Sequence, residues 1–451
     1  MNKKLVVLAV AGAFASPLAV QAQTANVTLY GRANIDLEFI KGATCANGAS
    51  GGGQGGGGVL KACSAGVTQA GDPNNFITNP TVARVSSNSS RFGMRGTESL
   101  GGGLNAVFQL ESNVSWDSGN SSGSSIASRE TFAGLQGSWG KATMGKFLMP
   151  QDDLHPIFGN APTFTTSILS TADVWAQGNL NKGQGGFDAR PGNNVRYDSP
   201  NVSGFTGALQ YSTRDSSGNA GIQTPFGGDN GDHVSEIRHA FVVGGNVIYN
   251  NGPIQAGVAF ESNRKLRQYS GDPFAAVGAR GTTAGNPFNA DDTDWTITGA
   301  YDFGTIMQGF GLRIAGVYER TKYDTPTGQL KRDFWGVSGT IPAGGGKVYL
   351  FYGKASDGKG SAATGESVGY VVKGSDTGVK QWEATYTYNL SPRTAVYAGY
   401  VKLQNECKGP YTFNINSYAI AVGQENAAAG SAGAFCSGKP SGLVLGFLHL
   451  F

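Results

Sequence analysis

The sequence lacks the feature that marks a helical membrane protein. After residue 22, no segment offers the roughly 18 consecutive apolar residues that a membrane-spanning helix needs, and the mean hydropathy of the chain is −0.21. Transmembrane helices are therefore not expected in this part of the chain. A membrane β-barrel is compatible with this low hydropathy and with the lack of long apolar runs, because only every second residue of its strands meets lipid.

The net charge of the chain is small, and histidine is rare. Lys and Arg number 34 against 31 Asp and Glu, which gives a formal charge of +3. Without a larger basic excess, nucleic acid is not an expected partner. The four histidines are scattered and no GxSxG motif occurs, so the sequence offers no catalytic Ser/His pair and predicts no enzyme.

Cysteine is limited to four residues, and none of them forms a CxxC motif. This spacing predicts no metal site, and nothing else in the sequence calls for a cofactor. An even cysteine count in an exported chain favours disulfides. Because each pair falls in one proposed loop, we expect Cys45 to pair with Cys63 and Cys407 with Cys436.

The first 22 residues have the composition of an export signal. Lys3 and Lys4 precede the apolar run Leu5–Ala15, and Val20-Gln21-Ala22 resembles a small-residue cleavage site. The apolar run is too short to span a membrane and is typical of a secretory signal peptide. We expect residues 1–22 to be this signal and residues 23–451 to be a single β-barrel domain.

What the chain does contain is strict alternation. From Val27 to Phe39 the odd positions are apolar or small, and the even positions run from Thr28 to Glu38 with polar side chains. A period of two predicts a strand, and this one exceeds the roughly 9–11 residues that a membrane strand needs. Sixteen such strands are predicted: Val27–Phe39, Thr81–Arg95, Leu104–Asp117, Ser128–Gln136, Lys141–Phe147, Asn193–Asp198, Phe205–Thr213, Arg238–Tyr249, Ile254–Ser262, Asp294–Tyr301, Gly311–Glu319, Arg332–Ile341, Lys347–Lys354, Lys380–Leu390, Thr394–Leu403 and Gly442–Phe451.

Short turns alternate with long connections, including those around 214–237, 263–292, 320–331, 355–379 and 404–441. This alternation is typical of outer-membrane barrels, which have short periplasmic turns and long extracellular loops. The sequence therefore predicts an all-β fold, a sixteen-stranded antiparallel transmembrane β-barrel. On its last strand Phe451 would join the aromatic girdle, whereas Val444, Leu448 and Leu450 would place apolar side chains on the lumen face.

The long stretch Leu148–Arg190 lies between two short strand-like segments. A polar loop of this length would be unusual in a compact soluble domain. We expect this loop, the third on the extracellular side, to fold inward and narrow the pore.

Several stretches resemble the general-diffusion porins of Gram-negative bacteria, the β-proteobacterial branch above all. They are TLYGRAN (28–34), SSRFGMRGTESLGGGLNAVFQLES (89–112), SRETFAGLQGSWGKATMGK (128–146), NNVRYDSPNVSGF (193–205) and the final Phe. The resemblance covers the mature chain in order. It implies an outer-membrane homotrimer, surrounded by lipid and lipopolysaccharide, that passes ions and small hydrophilic solutes.

The resemblance also implies a constriction where wall arginines face acids on the third loop. Arg32 in LYGRAN, Arg91 in SSRFG and Arg129 in SRETFAG match the basic wall, and Arg190, just before the strand that bears Arg196, matches a fourth position. The candidate loop acids are Asp152, Asp153 and Asp173.

The segment PIFGN (156–160) departs from this pattern, since Ile157 stands where related porins often carry a carboxylate. Rings of arginine favour anions, so a thin acidic half predicts anion preference. The alternative is a substrate-specific channel. Phe158, Phe164 and Trp175 could line a sugar path, although we favour a role in anchoring the loop to the wall. An outer-membrane enzyme and a secreted β-rich adhesin are weaker rivals.

Overall fold

Sixteen antiparallel strands form a closed barrel, because the first strand pairs with both the second and the last. The computed structural model describes residues 26–41, 82–119, 126–158, 167–171, 174–175, 187, 189–213, 241–268, 289–307, 309–415, 418–419, 424–426, 435–437 and 439–451. The predicted signal peptide, Cys45, Cys63, Phe164 and Asp173 lie outside these residues.

The barrel strands follow the predicted order. They are β1 (Asn26–Lys41), β2 (Val82–Ser87 and Arg91–Gly101), β3 (Leu104–Asn113), β4 (Thr131–Gly137), β5 (Gly140–Lys146), β6 (Asn194–Asp198), β7 (Phe205–Ser212), β8 (Phe241–Asn251), β9 (Ile254–Gln268), β10 (Asn289–Asp302), β11 (Arg313–Thr325), β12 (Gly328–Ala343), β13 (Gly346–Ala355), β14 (Val379–Ser391), β15 (Thr394–Asn405) and β16 (Ser441–Leu450).

Short elements also occur in the connections. They are the 3₁₀ turns Pro150–Leu154 and Phe303–Thr305, the helix His155–Phe158, and the small hairpins Ser367–Val368 with Val371–Val372, Asn414–Ile415 with Tyr418–Ala419, and Gln424–Asn426 with Phe435–Ser437. Among the described residues, no helix is long and apolar enough to cross a membrane.

The second strand is interrupted, which the sequence did not predict. Both of its segments pair with β1, Ser87 with Ile35 and Arg91 with Arg32, so they continue one another along the wall. Between them, the Ser90 hydroxyl donates to the carbonyl oxygen of Asn34 and accepts from its N–H, both at 2.9 Å. A side chain thus replaces ladder hydrogen bonds at this break.

The alternation predicted for β1 is confirmed. Asn34 and Glu38 are buried on the lumen side, whereas Leu29 is 63% exposed and Leu37 is 37% exposed on the outer side. A polar lumen face and an apolar outer face are what a lipid-embedded barrel requires.

One predicted connection is wrong. The stretch 320–331 was expected to be a long loop, but β11 and β12 continue through it and pair as far as Thr325 with Gly328. Polar and apolar residues do not alternate clearly in this stretch, because strands that extend above the membrane carry polar residues, including lysines and acids, on both faces. Gly328 has φ of +159° and lies against the backbone of Ser361 in the next loop.

Apolar residues fill part of the lumen under the third loop. Val444 is fully buried in a cluster that includes Ile168 and Leu169 of the loop, and Leu448 packs against this cluster. The apolar lumen face of β16 therefore binds the loop. This cluster is an apolar core inside the barrel.

The final residue continues the barrel seam. Phe451 exchanges two backbone hydrogen bonds with Gly31, at 2.8 and 3.1 Å. Its exposed ring follows His449 and Phe447 along the outer face, with ring centroids 6.2 and 6.4 Å apart. This is a position that suits an aromatic girdle.

Candidate functional site: a charged constriction

Three arginines of the barrel wall gather around one carboxylate. Arg32 on β1 lies directly opposite Arg91 on β2. Arg91 Nε lies 3.3 Å from Glu111 Oε2, and Arg129 Nε lies 2.7 Å from Glu111 Oε1. Arg32 is 8% exposed and interacts electrostatically with Arg91 and Arg129. Like charges directly opposite each other repel, so Glu111 stabilises a cluster in which positive charge is in excess.

A glycine allows this arrangement. Tyr30 on β1, Gly93 on β2 and Glu111 on β3 occupy one row across three strands. The Tyr30 hydroxyl donates to Glu111 Oε2 at 3.1 Å by crossing over Gly93. A Cβ on Gly93 would lie 2.6 Å from Tyr30 Cζ, so any side chain at this position would displace the tyrosine.

The end of the third loop extends the basic cluster. Arg190 interacts electrostatically with Arg129, Glu130, Asp152 and Glu111. Burial, reinforced by the positive charge of Arg129, lowers the pKa of Arg190. The guanidinium nevertheless stays charged at neutral pH. Lys146, at the end of β5, interacts electrostatically with Arg190 and adds a fifth cation.

Sequence reasoning gave none of Glu111, Glu130 and Lys146 a role in the constriction, and it placed Glu130 on the outer face beside Phe132, whereas Glu130 interacts with Arg190. A signal for Glu111 existed, since it shares the polar face of its strand with Asn105 and Gln109. Alternation is unreliable for Lys146 and Glu130, because Lys146 ends its strand and Glu130 precedes the next one.

The start of the third loop is bound to the barrel wall. Asp153 Oδ2 lies 2.6 Å from Arg196 Nη2 and accepts a hydrogen bond from Asn246 Nδ2 at 2.8 Å. The side-chain amide of Gln151 donates to Asp294 on β10. Asp153 is therefore paired with a wall cation outside the arginine cluster, whereas Asp152 interacts with Arg190.

The distal part of the loop is held by the opposite strands. Ser167 Oγ donates to Asp36 Oδ2 at 2.8 Å, and Gln381 Nε2 donates to the carbonyl oxygen of Ser170 at 2.7 Å. Arg332 is fully buried, pairs with Glu319 at 2.5 Å and donates to the carbonyl oxygen of Val174 at 2.8 Å.

Aromatic side chains of the loop are anchors. Phe158 and Trp175 are fully buried, and their ring centroids lie 5.6 Å apart. His155 stacks on Trp175 at 4.2 Å, and Phe158 contacts Phe351 of the wall edge to face at 5.5 Å. These two aromatic residues thus bind the loop to the wall.

The described residues of the loop therefore contact the lumen faces of strands around much of the barrel, including β8 and β9 near its start and β1 and β14 near Ser167–Ser170. Within the described part of the chain, no group of three His, Cys, Asp or Glu residues could hold a metal ion.

Comparison with known proteins identifies the fold and the family. The family model described as Gram-negative porin matches residues 6–407. The chain belongs to the Gram-negative porin family. This porin is 27% identical to outer membrane porin protein 32 of Delftia acidovorans over 372 residues, which covers 80% of this chain and 84% of the relative. It is also 27% identical to the major outer membrane protein P.IB of Neisseria sicca, over 89% of this chain and 94% of the relative.

Solved structures share the barrel. The anion-selective porin from Comamonas acidovorans superposes with a TM-score of 0.63 at 22% identity, covering 95% of this porin and all of that chain. OmpT of Vibrio cholerae, in a trimer form, superposes with a TM-score of 0.57 at 15% identity, covering 95% of this porin and all of that chain. This porin is thus an outer-membrane channel of a Gram-negative bacterium, and it serves general diffusion of small solutes.

Proposed function

We propose that this diffusion channel prefers anions and that the arginine wall sets the preference. The observation that carries the proposal is that Arg91 and Arg129 share a single carboxylate, Glu111, while Arg32 adjoins both. Arg190 and Lys146 add two cations, and Glu130 and Asp152 supply the nearby negative charge. Rings of arginine in a narrow pore attract anions and repel cations.

Two further observations support this proposal. Asp153 is paired with Arg196, so this loop acid does not offset the arginine wall. A solved relative is an anion-selective porin by name. The roles of Arg32, Arg91, Arg129, Arg190, Asp152 and Asp173 in the constriction remain predictions.

The test is a reversal potential in a planar bilayer under a KCl gradient. We expect the sign of an anion-selective channel, and a smaller potential in the double variant Arg32→Gln with Arg129→Gln. A control outside the constriction is Arg393→Gln, which removes one arginine from an exposed turn, compared with the single variant Arg129→Gln. Cation selectivity in the native protein, or equal effects of both variants, would contradict the arginine wall.

Membership of the porin family supports the remaining features of the proposal. The channel passes solutes passively and performs no chemistry on them. A homotrimer is the proposed assembly, supported by the trimer form of OmpT, and conductance steps in groups of three would test it. Lipid and lipopolysaccharide surround the barrel. Amino-terminal sequencing of the mature protein tests cleavage after Ala22.

A sugar-specific channel would need aromatic side chains exposed along the lumen. Phe158 and Trp175 do not support this alternative, because both are buried in the core under the loop.

A further inference from the structure

An apolar cluster lies inside the extracellular end of the barrel, beyond the membrane-spanning part of β11 and β12. Tyr323 and Leu330 lie directly opposite each other across these strands, and both are fully buried on the lumen side. Val368 and Val371, of the small hairpin in the loop between β13 and β14, pack against them together with Ala362. We call these five residues the outer apolar cluster.

Backbone hydrogen bonds fix this cluster to the wall. Lys359, in the loop between β13 and β14, exchanges two hydrogen bonds with Lys331 on β12, both at 2.8 Å. The Ala362 N–H donates to the carbonyl oxygen of Gln329 at 3.0 Å. None of these four residues belongs to the third loop, so the cluster is supported independently of that loop.

One side chain of the third loop is buried in the outer apolar cluster. Phe187 is fully buried there, and its ring centroid lies 5.6 Å from that of Tyr323. The other aromatic anchors, Phe158 and Trp175, belong to a separate apolar core. Phe187 therefore attaches the end of the loop to the wall at a second point.

Arg190 follows Phe187 by three residues. An extended chain covers at most about 3.3–3.6 Å per residue, so the Cα atoms of the two residues are no more than about 11 Å apart. Between them, Ala189 is fully buried, and its carbonyl oxygen accepts a hydrogen bond from the Met149 N–H at 3.3 Å. A short stretch of backbone thus joins the outer apolar cluster to the arginine wall.

The guanidinium of Arg190 is held differently from those of the wall. Arg91 and Arg129 both form ion pairs with Glu111. Among the described residues, Arg190 forms no such ion pair, and its buried Nε has no hydrogen-bond partner. The place of Arg190 beside Arg129 and Asp152 therefore depends on where the backbone holds it.

We propose that Phe187 is a positioning residue for Arg190, and that the outer apolar cluster is the support that fixes it. The inference rests on the anion preference proposed above and assigns Arg190 a share of it. Without the phenylalanine ring, the end of the loop loses its apolar attachment, and the guanidinium moves away from the ion path. Arg91 and Arg129 stay in place, because Glu111 pairs with both.

The test is a double-mutant cycle on the reversal potential, with the native protein, Phe187→Ala, Arg190→Gln and the variant that carries both changes. Removing a unit charge about 8 Å from the ion path lowers the anion-to-cation permeability ratio about fivefold, and moving it to about 16 Å lowers the ratio about twofold. We therefore expect a fall of about fivefold in Arg190→Gln and of about twofold in Phe187→Ala. The variant with both changes should have the ratio of Arg190→Gln, because Phe187 then has no charge to position.

Two further variants test the attachment itself. Phe187→Leu keeps an apolar side chain in the cluster and should restore the native ratio. Val371→Ser changes only the extracellular loop, and it should lower the ratio as Phe187→Ala does, but only while Arg190 is present. It also keeps the inference testable if Phe187→Ala does not fold. The matched control is Phe310→Ala, 47% exposed in the turn between β10 and β11, which should behave as the native protein does.

Three outcomes would overturn the inference. The first is an equal fall in the ratio for Phe187→Ala with and without Arg190, which would mean that Phe187 holds the loop as a whole. The second is a native ratio in both Phe187→Ala and Val371→Ser. The third is a native ratio in Arg190→Gln. Failure of the arginine wall itself is distinguishable, because it would appear as a native ratio in Arg32→Gln with Arg129→Gln.

Discussion

Glu111 controls the charge balance of the constriction because it is the partner of both Arg91 and Arg129. Replacing it with glutamine keeps the shape and removes one negative charge. A unit charge about 8 Å from a permeating ion changes its energy by roughly 0.5 kcal/mol in water. The shift has opposite sign for an anion and a cation, so the two together give about 1 kcal/mol, and we expect the anion-to-cation permeability ratio of Glu111→Gln to rise about fivefold, measured as a shift in reversal potential.

The control for this variant is Glu366→Gln in an extracellular loop, where Glu366 accepts hydrogen bonds from Thr325 and Thr327. It removes the same charge far from the pore, so its reversal potential should match that of the native protein. A fall in anion preference for Glu111→Gln would mean that Glu111 serves mainly to position the arginines.

For single residues, the side of the wall that a side chain faces was predictable where polar and apolar residues alternate along a strand. Arg32 lies on the polar face of β1, so its lumen position was predictable. The partner of Asp153 was not, since Arg196 lies 43 residues away in sequence. Such pairing depends on the path of an irregular loop, which no local pattern encodes.

The third loop is an element stabilised chiefly by its contacts with the wall. Trp175 is fully buried between His155 and Phe158. Truncating a buried tryptophan to alanine costs about 3–5 kcal/mol. In Trp175→Ala we expect the loop to detach in a fraction of molecules, which raises open-channel noise and increases conductance in single-channel records.

The matched control is Trp139→Ala, since Trp139 lies in a periplasmic turn and is 43% exposed. It should leave the channel noise unchanged. Quiet, native-like channels in Trp175→Ala would show that polar anchors such as Arg332 hold the loop without the aromatic core.

Two extracellular loops meet through a pair of carboxyl groups. Burial and the adjacent Asp357 raise the pKa of Glu406. Although burial opposes it, hydrogen bonds including those from the N–H groups of Thr377 and Gly378 lower the pKa of Asp357. The pair therefore favours a state with Asp357 ionised and Glu406 protonated.

The sign of the pH dependence follows from these directions. The contribution of Asp357 is lost as pH falls through its lowered pKa, and that of Glu406 is lost as pH rises through its raised pKa. Hydrogen exchange at the Gly378 amide should thus be slowest, after correction for intrinsic rates, in the mildly acidic range between the two. Glu406→Gln, which mimics the protonated form, should remove the loss at higher pH. If the corrected exchange rate of the Gly378 amide changed in only one direction with pH, the pairing of an ionised Asp357 with a protonated Glu406 would be contradicted.

The loops also set the limit of what could be predicted. Strand order and number follow from alternation and are confirmed, but β11 and β12 extend beyond the predicted ends because polar residues occupy both faces there. The disulfide pairs stay a prediction. Cys407 is disulfide-bonded, and non-reducing peptide mapping should recover Cys407 with Cys436 and Cys45 with Cys63.

For the whole molecule, selectivity should depend on salt. The Debye length is about 10 Å at 0.1 M and about 3 Å at 1 M. In concentrated salt, the charge of the arginine wall therefore acts only on ions within about 3 Å of it. Reversal potentials measured at a fixed KCl ratio should shrink toward zero as total KCl rises over this range. Salt-independent selectivity would point instead to exclusion by pore size.

The pairing of β1 with β16 has a consequence for how the barrel forms. Arg32 lies opposite Leu450, so the first strand obtains its second neighbour only after the whole chain has been assembled. Contacts this distant in sequence form slowly, because the entropy of closing a long loop must be overcome first. Until this seam closes, β1 and β16 expose unpaired backbone edges, which are templates for aggregation. Barrel formation should therefore be close to all-or-none, with its slowest step at this seam.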